Sequence, residues 1–324
     1  MPADNKLKVA VLDDYQGVAL QYADWSLLAD RAEVTVFRDH LHDPDAVTAR
    51  LGPFDVVCVM RERTPLSAGM IARLPKLKLI ITTGMWNASL DAAYARARGI
   101  TVCGTDSGQT GTPELIWLLI LALARRLPQE QLSVRGGGWQ TAVGMDLFQR
   151  TLGVVGLGQI GTRITRVANA FGMRVIAWSQ NLTWERAAEA GATRVEKDAL
   201  FREADFVTVN LKLGERTRHI VGAREFVVMK PSAFFINTSR GPVVDEAALI
   251  EALQSGRIAG AGIDVYTTEP TPADHPLRNM PNVIATPHIG YVTEATYAMF
   301  YSQIVEDIDA WLKGAPIRLL PAAF

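Results

Sequence analysis

An α/β fold of two doubly wound parallel-sheet domains is what the amino-acid sequence predicts, on three observations. Short β-rich apolar runs alternate with helical segments, the pattern of βαβ units and a parallel sheet. The alternation stops at a glycine-rich stretch, Arg135-Gly136-Gly137-Gly138-Trp139, and restarts at Thr151. The 324 residues exceed one small core and suit about two domains.

The first expected strand is Lys8–Leu12, ending at Asp13-Asp14. Val34–Phe37, Val56–Met60, Leu77–Thr82 and Ile100–Val102 follow, each apolar and rich in β-branched residues. Gly99 reads as a helix stop before the last of these. A long amphipathic helix is expected from Thr112 to Arg126: Pro113 suits its first turn, Glu114 its positive end and Arg125-Arg126 its last turn. In the second set, strands are expected at Thr151–Val155, Arg174–Trp178, Phe206–Asn210, Ala233–Asn237, Ala259–Val265 and Asn282–Ala285. A helix from Glu294 to Leu312 closes the chain and is expected to return to the first set. The domains are therefore 1–105, completed by 294–324, and 106–293.

Composition limits the function classes. Lys+Arg is 33 against Asp+Glu 34, so no basic excess points to nucleic acid or an anionic membrane surface. Cys58 and Cys103 cannot build a disulfide framework and read as buried small hydrophobes in a reducing compartment. Met1 to Lys8 is polar, without the apolar core of a signal peptide. The run Leu115–Ala124 is too short to span a bilayer. A cytoplasmic protein with a large core is expected, and no metal-ligand set is read.

Four clusters carry chemistry. In Thr151–Gly161 a strand enters G-x-G-x-x-G and then a helix, Thr162 to Ala170. Gly156 allows the tight turn, Gly158 lets a pyrophosphate approach the backbone, and Gly161 packs helix on strand. With Gln159 and Ile160 they open a helix end whose free N–H groups and dipole favour an anion. A glycine turn without ligand is the bland alternative; the strand–turn–helix context favours dinucleotide binding. The second strand ends at Ser179, where an acid normally grips a ribose 2′-OH. Ser179 and Gln180 are neutral, so NAD and NADP both remain open, as does a plain turn-capping role for Ser179. In Asn237-Thr-Ser-Arg240-Gly241-Pro242, Arg240 stands at a strand's carboxyl end, and its planar fork suits a carboxylate. Taken alone, an arginine on a turn is more often a surface residue. Asp264, inside an apolar strand, is costly unless bonded. Glu269 and His288 then stand at two successive strand ends. Such a carboxylate raises the imidazole pKa and orients the ring as a proton donor and acceptor near neutrality. His40, His42, His219 and His275 read as surface residues.

Together, Gly153–Gly161, Met229–Glu246, Gly262–Pro270 and Thr286–Gly290 resemble the D-isomer-specific 2-hydroxyacid dehydrogenases, over nearly the whole chain. The resemblance implies two Rossmann-like domains, flavodoxin-like and dinucleotide-binding, with a cleft between them. It implies NAD or NADP as cofactor and a small 2-oxo or 2-hydroxy acid as substrate. Arg240 would hold the carboxylate and polarise the carbonyl, His288 would be the acid/base with Glu269 as its partner, and Asp264 would bond the nicotinamide carboxamide. A homodimer is implied, with Arg126 to Arg150 as the arm.

There are departures. A family Gly-x-Gly that holds the substrate carboxylate by backbone N–H groups reads Gly84-Met85-Trp86 here. Trp86 either reshapes the acyl pocket or points into the core. Arg61 and Arg63 either meet a second anionic group or are solvated. Glu269 argues against formate dehydrogenases, which pair the histidine with Gln. Phosphite dehydrogenases, and a dinucleotide-sensing corepressor that binds rather than catalyses, are the alternatives.

Overall fold

The computed structural model describes residues 6–321, so the ends of the expected N-terminal lead and closing segment lie outside the described residues. The chain divides into two units, Met1–Gly108 with Val292–Phe324, and Gln109–Tyr291. The expected joints stood a few residues away, at 105/106 and 293/294.

The first unit holds five parallel strands: β1 (Leu7–Val11), β2 (Ala32–Val36), β3 (Val56–Val59), β4 (Leu79–Thr82) and β5 (Thr101–Gly104), in the order β2-β1-β3-β4-β5. Val56, Val57, Cys58 and Val59 are all buried, as are all four residues of β4, because helices cover both faces of such a sheet. The helix Glu294–Leu312 belongs to this unit and buries Tyr297, Phe300, Tyr301, Ile304 and Ile308. After it, residues 318–320 run antiparallel beside β5, with the Leu320 N–H on Val102 O at 3.0 Å.

The second unit holds seven parallel strands: β6 (Thr151–Val155), β7 (Arg174–Trp178), β8 (Thr193–Arg194), β9 (Phe206–Val209), β10 (Phe234–Asn237), β11 (Gly260–Ile263) and β12 (Val283–Ala285). Their order is β12-β11-β10-β9-β6-β7-β8, so the direction of winding reverses between β6 and β9. The period-two alternation of side chains divides the core. Leu152, Val154, Phe206, Phe234 and Ile236 pack on one face with Leu119 and Ile164; Val155, Val207, Val209 and Phe235 pack on the other with Phe226 and Leu249.

The expected helix from Thr112 to Arg126 is two helices, Gly111–Ala124 and Leu127–Arg135. Arg126 between them is left-handed at φ 51°, and Pro128 opens the second. That second helix buries none of its residues, so no apolar periodicity announced it. β11 ends at Ile263, and Asp264 therefore stands just past the strand rather than inside it. Cys58 and Cys103 are buried, and burial pushes both thiols up, Cys103 to about 12. No helix among the described residues is long and apolar enough to cross a membrane.

Candidate active site

Three neighbouring strands release the chain at one level. Asn237 pairs with Ile263, and Ile263 with Ala285, so β10, β11 and β12 end side by side. Parallel neighbours lie about 4.8 Å apart. The loops leaving that edge carry Arg240, then Asp264 and Glu269, then His288.

The β10 exit is shaped by Asn237, which is 2% exposed. Its Oδ1 accepts the Ser239 N–H (3.0 Å) and hydroxyl (2.8 Å), and its Nδ2 donates to Arg240 O (3.2 Å). This is an Asx-type turn, and it sets the direction in which the chain presents Arg240. The Arg240 Nη1 donates to Ser239 O at 2.7 Å. The next residue must be glycine: a Cβ on Gly241 would lie 2.1 Å from the Tyr266 carbonyl.

At the β11 exit Asp264 is fully buried. Its Oδ1 accepts the Thr286 hydroxyl (2.6 Å) and the Ile289 N–H (2.8 Å), and its Oδ2 accepts the Gly290 N–H (2.9 Å). Burial pushes the Asp264 carboxyl pKa up, against the pull of those donors and of His288. The expected contact with a nicotinamide carboxamide therefore competes with three bonds already made. In this structure Asp264 braces the turn on both sides of His288, which itself stands in the left-handed region at φ 53°.

Glu269 and His288 are bonded directly, Oε2 to Nδ1 at 2.5 Å. The other carboxylate oxygen accepts the Tyr266 N–H at 2.8 Å. An ionised carboxylate only accepts, so Nδ1 carries a proton and Nε2 is the nitrogen left for chemistry. The His288 side chain is 17% exposed and that of Glu269 28%, open enough for a reactant to reach. The Tyr291 ring meets the imidazole edge-on, with centroids 5.6 Å apart.

The glycine loop leaves β6 on the same sheet edge, at the reversal of winding. Gly156 has φ +96°, and a Cβ there would sit 2.7 Å from Asn210 O. A Cβ on Gly161 would lie 2.3 Å from Gly156 O, whereas one on Gly158 meets nothing within 4 Å. The loop thus keeps open space at its middle glycine and tight contact at its outer two. Gly158 caps the helix Gln159–Ala170, which leaves the first-turn N–H groups of Gln159, Ile160 and Gly161 without partners inside the helix. These features fit a dinucleotide pyrophosphate. Ser179 follows β7 directly and is half-buried, with its carbonyl accepting the Leu182 N–H.

The remaining expected contacts lie in the first unit, where several readings need correction. Gly84 is left-handed at φ +88°, but its N–H donates to Thr105 Oγ1 (2.8 Å) and is not free for a substrate carboxylate. Met85 and Trp86 are half-buried, so Trp86 is not a core residue. Arg61 and Arg63 are half-buried rather than freely solvated: Arg61 Nη1 donates to Thr83 O, and Arg63 donates to Asp13 O while stacking on the Tyr15 ring. His40 is bonded to buried Asp13 at 2.9 Å, and His275 to Glu246 at 3.3 Å, so neither is a plain surface histidine. Asn237, Thr286 and Tyr266 were missed as parts of the site. Asn237 and Thr286 each gave a sign, a polar residue closing an apolar run.

A family model described as D-isomer specific 2-hydroxyacid dehydrogenase, NAD binding domain, matches residues 117–290. The D-3-phosphoglycerate dehydrogenase of Synechocystis is 36% identical over 263 residues, 80% of this chain and 47% of that protein. The chain thus spans about half the length of the phosphoglycerate dehydrogenases it matches. The glyoxylate reductase of Korarchaeum cryptofilum is 35% identical over 257 residues, 77% of each chain. Among solved structures, a phosphoglycerate oxidoreductase from Vibrio cholerae superposes with a TM-score of 0.90 at 35% identity, covering 95% of this chain and 100% of that one.

Proposed function

Because the chain belongs to the D-isomer-specific 2-hydroxyacid dehydrogenase family, we propose that it transfers a hydride between NAD(P)H and a small 2-oxo or 2-hydroxy acid of the D series. Glyoxylate and hydroxypyruvate are the first candidates. The observation that carries the reading is the Glu269–His288 bond on the strand edge that also bears Arg240.

A nicotinamide dinucleotide held at the Gly156–Gly161 turn would supply the hydride for reduction of the keto carbon and accept it in oxidation. His288 Nε2 gives its proton to the carbonyl oxygen as that oxygen becomes an alkoxide. Glu269 holds the ring by Nδ1–H, which leaves Nε2 facing the reactant. Arg240 orients the substrate carboxylate by its fork and stabilises the charge growing on the oxygen. In oxidation His288 accepts the hydroxyl proton.

The acid/base assignment rests on Arg240, Glu269 and His288. Gly156, Gly158, Gln159, Ile160 and Gly161 are the proposed pyrophosphate contacts, with Ser179 toward the adenosine ribose. A cytoplasmic homodimer is the proposed state. Leu118, Leu121, Leu127 and Leu132 on the two arm-side helices, with Trp139 at 75% and Val143 at 93% exposure, are exposed apolar side chains that a second copy would cover.

The test is consumption of NADH and of NADPH against a panel of 2-oxo acids that includes glyoxylate, hydroxypyruvate and pyruvate. Turnover of at least one acid is expected. A neutral Ser179 offers about 0.5–1.5 kcal/mol of net hydrogen bonding, which limits discrimination between the cofactors to about tenfold. A panel without turnover overturns the proposed activity.

A further inference from the structure

We propose that Glu246 is a positioning residue that keeps Glu269 on His288, acting through both ends of the loop that carries Glu269; this rests on the acid/base reading above. Glu246 opens the helix Glu246–Gln254, six residues after Arg240. The preceding Asp245 caps that helix by accepting the Ala248 N–H, so the position of Glu246 is fixed.

The two oxygens of Glu246 serve two different residues. Oε2 accepts the Thr267 N–H at 3.0 Å, and Oε1 faces His275 Nε2 at 3.3 Å. The Leu277 N–H donates to His275 Nδ1 at 3.3 Å. Nδ1 is therefore the bare nitrogen, and Nε2–H donates to Glu246, which a neutral imidazole already satisfies. Thr267 and His275 bracket Glu269. Between them, Thr268, Pro270, Pro272, Ala273 and Asp274 are exposed, so the loop has little burial of its own to hold it.

On the inner side Tyr266 links the same parts. Its N–H holds Glu269, its hydroxyl donates to Thr286 O at 3.0 Å, and its ring stands edge-on to His275. Gly241 lies directly on the Tyr266–Thr267 backbone. The charged and titratable groups around the loop are Tyr266, Glu269, Asp274 and His275 on it, Glu246, Asp264, His288, Tyr291, and Arg278, whose Nη1 donates to Thr271 O. An acid in a first helical turn also favours the helix dipole, but that role alone would affect stability and not His288.

The experiment places Glu246→Ala and Glu246→Gln in the wild-type and Glu269→Gln backgrounds. It records kcat/KM against pH for glyoxylate and hydroxypyruvate with NADH, NADH affinity by fluorescence, and Tm. Glu246→Ala is expected to lower kcat by up to about 10²-fold, the scale of a misplaced catalytic group, with NADH affinity unchanged. The pH–rate limb assigned to the acid/base pair should move in the same direction as in Glu269→Gln. In the Glu269→Gln background Glu246→Ala should move it no further. Glu246→Gln, which keeps an oxygen for Thr267, should fall between, and it carries the same comparison if Glu246→Ala does not fold. Two results overturn the proposal: a limb that moves in Glu269→Gln but not in the Glu246 variants, or a Glu246 effect equal in both backgrounds. A limb unmoved by Glu269→Gln instead overturns the acid/base reading itself.

Discussion

Asp264 is a buried carboxylate that braces the turn carrying His288. Three donors from the turn 286–290 hold it, and the residues they come from flank His288. Sequence reasoning found that this carboxylate needs partners, because an unbonded one is costly to bury. It did not find the partners, since Ile289 and Gly290 act through backbone N–H groups that any residue but proline supplies. Glu269 and His288 were legible because ionisable residues at strand ends stand out from apolar runs. His275 was misread because Glu246, its partner, is 29 positions away and joined only by the fold. At Arg240 the fork geometry makes a prediction. Arg240→Lys keeps the charge and loses the bidentate pair, so KM for the acid should rise and kcat fall together. Steady-state kinetics on the best substrate of the panel check this, and unchanged constants would return Arg240 to a surface turn.

Among the elements, the β6 turn was the most legible, because each glycine answers a separate steric demand. Gly158 and Gly161 also separate binding from folding. A methyl on Gly161 would press on the Gly156 carbonyl at 2.3 Å, so Gly161→Ala must shift the helix, at a cost of about 1–3 kcal/mol. A methyl on Gly158 meets open space, so Gly158→Ala should lower Tm only by the small cost of alanine at a helix N-cap, less than Gly161→Ala, yet weaken NADH binding where the pyrophosphate approaches. Thermal melts beside fluorescence titration decide it; a Gly158→Ala variant with wild-type NADH affinity would contradict the proposed anion site. Other elements gave no such signal. The helix Leu127–Arg135 buries nothing, and β8 has two residues, too few for a period to register.

For the whole molecule, the return of the helix Glu294–Leu312 to the first unit was expected, but its inner charge was not. Asp307 on that helix is fully buried and bonded to Arg318 at 2.9 Å. Burial pushes its carboxyl up from 3.8 to about 7 against the pull of Arg318, with Glu306 and Asp106 adding to the rise. The folded chain therefore keeps a proton that the unfolded chain releases. That contribution to stability is fully present below about pH 4 and lost as pH rises through about 7, at most about 4 kcal/mol. Asp307→Asn cannot ionise, so its Tm relative to wild type should be higher at pH 8 than at pH 5. A Tm difference equal at the two pH values would contradict this.

The central claim is that His288 moves the proton in hydride transfer to a 2-oxo acid. The most direct measurement is the single-turnover rate of NADH oxidation by wild type and His288→Ala, with the best acid of the panel and with NADH binding measured separately. His288→Ala should lose about 10²–10⁴-fold in rate, the ordinary contribution of a general acid, while binding NADH as wild type does. A His288→Ala variant that oxidises NADH at a near-wild-type rate would contradict the account.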